Sequence, residues 1–282
     1  MVHAMNRIRL SQFSLRDTLE CGQTFCWVPE GNGYINADIG QVVYVEQQKG
    51  ILLWESSAGD APVHDLLRLG DPLTHIQREI QKDSLMSNCI AYAPGLRLVN
   101  DPVYPCLVAF LCATWKNIPA IKTMVSRIRE TCGPKYEFRG KIYHGMPSPE
   151  MLCDIDTAFL KSLGLAWRAD FIKQSTDSIM SGEIDLEGLK TLSYSEAHAE
   201  LRKLHGVGDK VADCVSLFAL GHLEAFPIDV WIERIIQQQY GLFSSAGTSY
   251  KKKSEAAREY FGTYAGYAQE YLYYYSRTHP SS

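Results

Sequence analysis

The stretch LHGVGDKVADC, from Leu204 to Cys214, constrains the fold of this chain more than any other part of the sequence. Two glycines separated by one valine interrupt a pattern that otherwise reads as continuous helix, and Lys210 follows closely. Glycine lets the backbone adopt positive φ and lets another surface approach it closely. We therefore predict a tight hairpin between two helices, in a helix–hairpin–helix unit that spans residues 195–220.

This hairpin has two interpretations. The second helix begins with unpaired backbone N–H groups beside Gly208, and such a helix end readily binds an anion. Gly206 and Gly208 would then allow contact with a DNA phosphate that is independent of base sequence. A compact helix–helix turn packed in a protein core accounts for the same glycines, so the hairpin alone leaves both interpretations open.

Two charged residues near the hairpin suggest chemistry. Lys210 lies in the first turn of the second helix, where a neutral amine is a plausible nucleophile, although a surface lysine is more often simply solvated. Asp229, in FPIDVWIERII, directly precedes an apolar helix and is expected to cap it. A carboxylate fixed by a helix N-terminus stays ionised and can stabilise a developing positive charge, so capping and catalysis are compatible.

The rest of the chain divides into a β-rich part and a helical part. Residues 33–56 combine β-branched and aromatic residues with glycine-containing turns, which predicts an antiparallel meander. From about residue 71 onwards, apolar residues recur at helical spacing. Asp71, Asp101 and Ser148 are each followed by proline and are expected to be N-caps of helices. The boundary between the two parts should lie between residues 60 and 100.

Charge, cysteine content and hydropathy narrow the possible functions. The formal net charge of -4 argues mildly against a nucleic-acid partner, although a local basic groove can lie on an acidic protein. The 8 cysteines show no CxxC motif and no Cys/His pair at zinc spacing, so we expect no metal and no cofactor. No stretch resembles a signal peptide or a membrane span. We expect a cytoplasmic protein, or a nuclear one in a eukaryote, that is neither secreted nor bound to membranes.

Several motifs together carry a family resemblance. LHGVGDKVADC followed by FPIDVW resembles the helix–hairpin–helix, Gly/Pro-rich loop and aspartate signature of the base-excision DNA glycosylases. With ECGQTFCW, YHGMPSPEML, LGLAWRADFI and YAGYAQEYLYYY in the same order, nearly the whole chain is similar to the 8-oxoguanine DNA glycosylase/AP lyase family. The resemblance implies an α+β, mostly α fold, in which a small antiparallel β-rich N-terminal domain packs on two helical subdomains. We place these parts at residues 1–97 and 98–282, with the site in the cleft between the helical subdomains.

The resemblance also implies an enzyme that flips a damaged base out of double-stranded DNA, because C1′ of the sugar cannot be reached while the base stays stacked. Lys210 would attack C1′ and displace 8-oxoguanine, while Asp229 would stabilise the cationic transition state. The resulting Schiff base permits β-elimination of the 3′ phosphate, which is the lyase step. We expect this enzyme to be a monomer.

The same match identifies candidate residues of the base pocket. Gly22 matches the glycine whose carbonyl accepts the N7 hydrogen that 8-oxoguanine has and guanine lacks. Cys214 and Tyr273 match the residues on the two faces of the flipped base, and Gln269 matches the glutamine that bonds its Watson–Crick edge. Phe25 lies near the pocket by the same match, although an ordinary core position is equally consistent.

Helical spacing gives a check that does not depend on the family. Lys210 and Cys214 are one helical turn apart and share a face. Gln269 and Tyr273, again one turn apart, fall on the side of the C-terminal helix opposite a tyrosine stripe. That stripe should pack in the core, and it consists of Tyr264, Tyr267, Tyr271 and Tyr274.

The sequence departs from the family where relatives grip the cytosine opposite the lesion with asparagines and an arginine. In FLCATWKNIPAI, Trp115 and Lys116 occupy the first two asparagine positions, Asn117 is retained, and the arginine position falls on Ala120. A stacking filler such as tryptophan tolerates any base, whereas hydrogen-bonded readout rejects wrong partners. We therefore predict relaxed discrimination of the opposite base.

Three further residues match DNA-contacting positions of the family. Arg168 matches a second arginine that contacts the cytosine, and Trp167 stands where an aromatic wedge is expected. Trp231 replaces the histidine usually found there, so that one phosphate contact would be lost.

Three hypotheses about function follow from these residues. The first is a bifunctional glycosylase/lyase for 8-oxoguanine. The second is a related glycosylase for alkylated purines or oxidised pyrimidines; the former usually lack the lysine, and the latter usually carry C-terminal cysteines that are absent after Cys214. The third is a non-catalytic helix–hairpin–helix DNA-binding protein, which has no need of Lys210 paired with Asp229.

Overall fold

The computed structural model describes residues 5–241 and 247–279, in which a small sheet precedes a mainly helical body. A five-stranded antiparallel sheet has the order β1–β5–β4–β3–β2, and its strands are β1 (Asn6–Arg9), β2 (Val28–Glu30), β3 (Gly33–Asn36), β4 (Val43–Gln48) and β5 (Ile51–Ser56). A separate antiparallel hairpin pairs β6 (Lys135–Phe138) with β7 (Lys141–His144).

Helices make up most of the remaining structure. The α-helices within the described ranges are α1 (Leu15–Glu20), α2 (Val63–Leu66), α3 (Leu73–Ile80), α4 (Ser84–Tyr92), α5 (Val103–Cys112), α6 (Ile118–Cys132), α7 (Pro149–Cys153), α8 (Thr157–Leu160), α9 (Arg168–Met180), α10 (Tyr194–Leu201), α11 (Asp209–Phe218), α12 (Val230–Gln239), α13 (Tyr250–Phe261) and α14 (Ala265–Thr278). None of the helices in these ranges is long and apolar enough to cross a membrane. The α+β, mostly helical fold predicted from the sequence is confirmed.

The meander predicted over residues 33–56 is present as β3, β4 and β5. Strand β4 is the central strand of the sheet, and its neighbour β3 is buried along its whole length. The structure adds the two edge strands β1 and β2, which the sequence did not predict. Both are short and mostly exposed, and they therefore lack the alternation of apolar and polar residues by which a strand is recognised.

Two of the three predicted helix caps are wrong. Helices α3 and α5 each begin after a proline, and neither has a side-chain cap. Asp71 instead accepts a hydrogen bond from the Tyr267 hydroxyl at 2.7 Å. Asp101 accepts one from the Thr24 hydroxyl at 2.6 Å. These aspartates bind distant elements rather than their own helices, whereas Ser148 caps α7 as predicted.

The predicted helix–hairpin–helix unit is confirmed as α10, a short turn and α11. Its first helix, α10, begins at Tyr194, one residue before the predicted start of the unit at residue 195, and Ser193 is its N-cap. Ser193 and Glu196 form a reciprocal capping box, which satisfies two backbone N–H groups at the start of α10. Gly208 is the N-cap of α11 and provides no side-chain hydrogen bond.

The C-terminal helix α14 is largely buried and packs on α3, α4, α12 and α13. Of the predicted tyrosine stripe, Tyr267, Tyr271 and Tyr274 are buried, and Tyr264 is half-buried. The Tyr271 hydroxyl accepts a hydrogen bond from the Gln77 amide at 2.7 Å, and this bond ties α14 to α3. The division of the chain at residue 97 stays a prediction, and the helices that precede it pack tightly on the C-terminal one.

Candidate active site

Lys210 is the second residue of α11 and is half-buried at one end of the hairpin. Its Nζ lies 4.9 Å from the centre of the Phe110 ring, over the buried helix α5. Cys214 follows one turn later and is also buried, and its thiol interacts with the Lys210 amine. Burial raises the pKa of Cys214 to about 12, so its side chain is a neutral thiol. The predicted pair therefore shares one face of α11, above an aromatic wall.

Asp229 is the N-cap of α12, as predicted. Its Oδ1 accepts hydrogen bonds from the backbone N–H groups of Trp231 at 3.0 Å and of Ile232 at 2.9 Å. Burial raises the pKa of Asp229, whereas these amides and the positive charge of Lys210 act to lower it. The carboxylate thus lies within electrostatic reach of the lysine in a poorly solvated position, where charges interact strongly.

Gly22 lies in a turn that presses against helix α14. Its φ is +115°, which strongly favours glycine, and a Cβ there would lie 2.6 Å from Nη1 of Arg277 and 3.0 Å from Cε1 of Tyr273. The predicted residues Gly22 and Tyr273 are therefore in direct proximity, although they lie near opposite ends of the chain. Any side chain at position 22 would occupy the space beside the Tyr273 ring.

Buried hydrogen bonds hold the Gly22 turn rigidly. The Gln23 amide donates to the carbonyls of Thr18 and Arg97, both at 2.8 Å, and its oxygen accepts from the Val99 N–H at 3.0 Å. Thr24 holds the other side of the turn through its bond to the buried aspartate described above. The sequence reasoning quoted the ECGQTFCW motif but assigned no role to Gln23, which here fixes the turn.

Helix α14 presents two buried polar side chains with unsatisfied atoms. Gln269 is 4% exposed, and its Oε1 has no hydrogen-bond partner among the described residues. Glu270 is 1% exposed, and its Oε1 is likewise unpaired within the same ranges. A buried acceptor without a donor costs on the order of 1–3 kcal/mol, so a ligand that donated a hydrogen bond there would recover that free energy.

Glu270 was not predicted from the sequence, where it gives no signal beyond its place next to Gln269. Burial raises its pKa to about 7, the Cys21 thiol and Arg277 act to lower it, and Asp229 acts to raise it. The carboxyl group therefore interacts both with Cys21, next to the Gly22 turn, and with Asp229.

Phe25 is a core residue that supports the wall beneath the lysine. It is buried, and its ring packs edge-on against Phe110 with centroids 5.8 Å apart. Phe110 in turn lies under Lys210. The Phe25 ring is thus separated from the lysine by the Phe110 ring. This is the core position that the sequence analysis left open, and contact between Phe25 and a base stays a prediction.

Two tryptophans that were expected to contact DNA lie on the surface. Trp115 is 88% exposed and adopts a positive φ of 57°, and Trp167 is 41% exposed. Exposed indole rings of this size are available to stack on or insert between bases. Trp231 is half-buried, and the Arg234 guanidinium lies 5.3 Å from its ring centre.

The polar residues beside Trp115 are engaged within the chain. Asn117 caps α6 by accepting a hydrogen bond from the Ala120 N–H at 3.0 Å. Arg168 is 3% exposed, and its Nε donates to the Thr114 carbonyl at 3.0 Å. Arg168 therefore supports the turn that carries Trp115, and contact between Arg168 and a cytosine, which stays a prediction, would require it to leave this position.

The two hairpin glycines differ in what they contact. Gly206 has a φ of +82°, and a Cβ there would overlap the Phe171 ring on α9. Around Gly208 the structure is open, because nothing described lies within 4 Å of where its Cβ would be. Packing thus explains Gly206, whereas Gly208 is free to be approached from outside.

Comparison with known proteins places this geometry in a family. Residues 6–107 match the family model of the 8-oxoguanine DNA glycosylase N-terminal domain. A probable N-glycosylase/DNA lyase of Methanothermobacter thermautotrophicus is 30% identical, and the match covers 70% of this chain and 68% of that protein. A solved Clostridium acetobutylicum 8-oxoguanine glycosylase/lyase bound to double-stranded DNA is 31% identical, with a TM-score of 0.89 over 95% of this chain and 93% of that one. The chain belongs to the 8-oxoguanine DNA glycosylase family.

A relative in Arabidopsis thaliana, the N-glycosylase/DNA lyase OGG1, is 27% identical over 93% of this chain and 77% of its own length. The family resemblance seen in the sequence is therefore confirmed. Within residues 5–241 and 247–279, no three or more His, Cys, Asp or Glu side chains lie close enough together to hold a metal ion.

We expect substitution of the two hairpin glycines, Gly206 and Gly208, to have different consequences. Gly206→Ala should lower the free energy of unfolding by about 1–3 kcal/mol, because it combines a strained φ with overlap of Phe171. Gly208→Ala should change stability by less than about 1 kcal/mol, yet weaken binding to duplex DNA by blocking close approach of the backbone. Denaturant unfolding and fluorescence anisotropy separate the two effects. Unchanged DNA affinity in Gly208→Ala would contradict the phosphate contact.

Glu270 predicts a pH dependence of stability. Its pKa is raised from 4.5 to about 7, so the stability it contributes is fully present below about pH 4.5 and is lost as pH rises through about 7. Thermal unfolding should therefore show the protein losing stability between about pH 4.5 and 7, with little further loss from this group above that range. Glu270→Gln keeps the shape of the neutral acid and should recover roughly 2–3 kcal/mol at pH 8.

Glu259→Gln, on the exposed side of α13, is the matched control and should follow the unsubstituted protein. Some pH dependence should persist in Glu270→Gln, because burial also raises the pKa of Asp101 to about 7. A Glu270→Gln profile identical to that of the control would show that the Glu270 carboxyl does not hold its proton in this range.

Proposed function

We propose that this chain is a bifunctional DNA glycosylase/AP lyase that excises 8-oxoguanine from double-stranded DNA. Three observations support the proposal: Lys210 lies within electrostatic reach of Asp229, the Gly22 turn packs against Tyr273, and the buried amide oxygen of Gln269 has no partner among the described residues. Known relatives support the choice of substrate, since the Clostridium structure contains cytosine opposite 8-oxoguanine.

Recognition of the oxidised base rests on the Gly22 carbonyl. 8-Oxoguanine carries a hydrogen on N7 that this carbonyl can accept, whereas guanine offers an acceptor at N7. Two acceptors facing each other in a buried site cost about 1–3 kcal/mol. The hydrogen bonds made by Gln23 and Thr24 keep the turn from rotating an N–H group towards guanine instead. Rigidity of this turn is therefore part of the specificity.

The rest of the base would be held by α11 and α14. The Gln269 oxygen, which has no partner in the described chain, would accept hydrogen bonds from the Watson–Crick edge of the base. Cys214 and Tyr273 would cover its two faces, and the neutral thiol places no charge against the ring. Stacking on an aromatic ring such as Tyr273 contributes on the order of 1–3 kcal/mol per base.

Excision would proceed through a covalent intermediate on Lys210. The Nζ lone pair forms a bond to C1′ while the C1′–N9 bond breaks. The base leaves with the electron pair of the C1′–N9 bond. Asp229 stabilises the positive charge that develops on the sugar, and its poor solvation strengthens this interaction. Opening of the sugar ring and loss of a proton from Nζ give the imine. Removal of a C2′ proton then expels the 3′ phosphate.

Contacts with the rest of the duplex would come from the hairpin and the exposed tryptophans. Gly208 lies at the open N-terminus of α11, which suits a phosphate. Trp115 would fill the gap left by the flipped base without reading the opposite one, and Trp167 would act as the wedge. All of these residues lie in one chain, and we propose that the enzyme acts as a monomer.

The lysine nucleophile predicts a trappable adduct. Sodium borohydride should link the protein covalently to a duplex containing 8-oxoguanine, because an amine nucleophile passes through a reducible imine. Lys210→Gln should abolish trapping while duplex binding persists. Lys190→Gln, in an exposed turn where this lysine pairs with Glu187, is the control and should trap normally. Normal trapping by Lys210→Gln would exclude Lys210 as the nucleophile.

The exposed Trp115 predicts weak discrimination of the opposite base. Each hydrogen-bonded contact to the cytosine is worth roughly 1–3 kcal/mol. An enzyme that lacks one or two of them should therefore prefer cytosine by a factor at least about tenfold smaller than an enzyme that has them. Trp115→Asn restores an amide at a positive φ that asparagine tolerates well, and it should sharpen the preference for cytosine. Single-turnover excision rates with each of the four opposite bases measure this. A steep cytosine preference in the unsubstituted enzyme would refute the proposal.

A further inference from the structure

A fully buried carboxylate lies inside the helix that carries the lysine. Asp213 is 0% exposed and falls between Lys210 and Cys214 on α11. Its Oδ1 accepts a hydrogen bond from the Tyr194 hydroxyl at 2.5 Å, and its Oδ2 accepts one from the Tyr250 hydroxyl at 2.7 Å. Burial raises the pKa of Asp213, and these two phenols act to lower it. Both phenols therefore stabilise a carboxylate that would otherwise be costly to bury.

Tyr250 makes a hydrogen bond that has no counterpart among the described contacts of Tyr194. The Tyr250 oxygen also accepts a hydrogen bond from the backbone N–H of Ile228 at 3.1 Å. Ile228 directly precedes Asp229, so a continuous chain of hydrogen bonds runs from α11, through the Tyr250 hydroxyl, to the peptide next to the catalytic carboxylate. Tyr194 binds the other oxygen of Asp213 and its ring lies beneath the Arg258 guanidinium, but none of its described contacts reaches Ile228.

This connection matters because the segment between α11 and α12 has no regular structure. Residues 219–229 form an irregular loop in which Phe226 and Ile228 are buried. Apolar burial holds such a loop in place but does not fix the orientation of a peptide plane, whereas a hydrogen bond to its N–H does. The bond to Tyr250 therefore orients the backbone at the point where the loop enters α12.

We propose that Tyr250 is a positioning residue that sets the placement of Asp229 relative to Lys210 by bridging Asp213 and the Ile228 N–H. The inference rests on the proposed function, since it takes these two residues as the reacting pair. The described hydrogen bonds of Tyr250 go to Asp213 and Ile228, and none goes to Lys210 or to the Asp229 carboxylate. Its effect is on rate rather than on DNA binding, because a misplacement of about 1 Å in a reacting pair can cost on the order of 100-fold.

Two matched substitutions test this role. Tyr250→Phe and Tyr194→Phe each keep the aromatic ring and each remove one hydroxyl that donates to Asp213. Only Tyr250→Phe also releases the Ile228 N–H. We expect comparable losses of thermal stability in the two variants, and a fall of about tenfold or more in the single-turnover excision rate only for Tyr250→Phe. Affinity for a duplex carrying an abasic-site analogue should be unchanged in both.

The rates are compared well below both unfolding midpoints, so that loss of folded protein does not contribute. Equal excision rates in the two variants, whether both normal or both reduced, would overturn the positioning role and leave Tyr250 as a partner of Asp213 only. The unsubstituted enzyme is tested alongside for excision and for borohydride trapping. Failure there would refute the proposed function, and the inference with it, whereas normal trapping with equal variant rates would refute the inference alone.

Discussion

The close packing of α14 against the loop that leads to α12 is the constraint on which the rest of the site depends. Gly266, in the first turn of α14, lies so close to the end of α11 and to this loop that a Cβ would overlap Leu217 of α11 and lie 2.9 Å from the Leu223 carbonyl of the loop. The Gly266 N–H donates to that carbonyl at 2.7 Å. The same helix carries Tyr273, which lies within electrostatic reach of Asp229 and presses on the Gly22 turn. Residues far apart in the sequence are thereby brought together.

The buried polar groups of this molecule fall into two kinds. Those of Gln23 and Asp213 have their hydrogen bonds made within the chain, and they fix backbone segments that must not move. Those of Gln269 and Glu270 each keep an unpaired oxygen within the described residues. Satisfied buried groups give rigidity, whereas unsatisfied ones raise the energy of the empty pocket and lower the energy of a complementary complex.

Features encoded locally could be predicted from the sequence. The hairpin glycines, the cap formed by Asp229 and the helical spacing of Lys210 and Cys214 all depend on neighbours a few residues away. Asp101 was misassigned as a cap because its partner, Thr24, lies 77 residues away in the sequence. Glu270 and the pairing of Asp213 with Tyr250 escaped prediction for the same reason. The periodicity of apolar residues indicates which face of a helix is buried, but it does not indicate which distant polar group will bond to a side chain on that face.

Gly206 has a further consequence. The hairpin packs directly on the Phe171 ring, whose centroid lies 4.9 Å from that of Trp167, so the hairpin and the tryptophan form one rigid block across the start of α9. A duplex held at the hairpin would therefore meet the indole at a fixed offset along its axis. The protein would act as a template of constant curvature, and the DNA would supply the deformation. Sites that bend easily would be engaged first, so local flexibility of the duplex would influence which lesions are found.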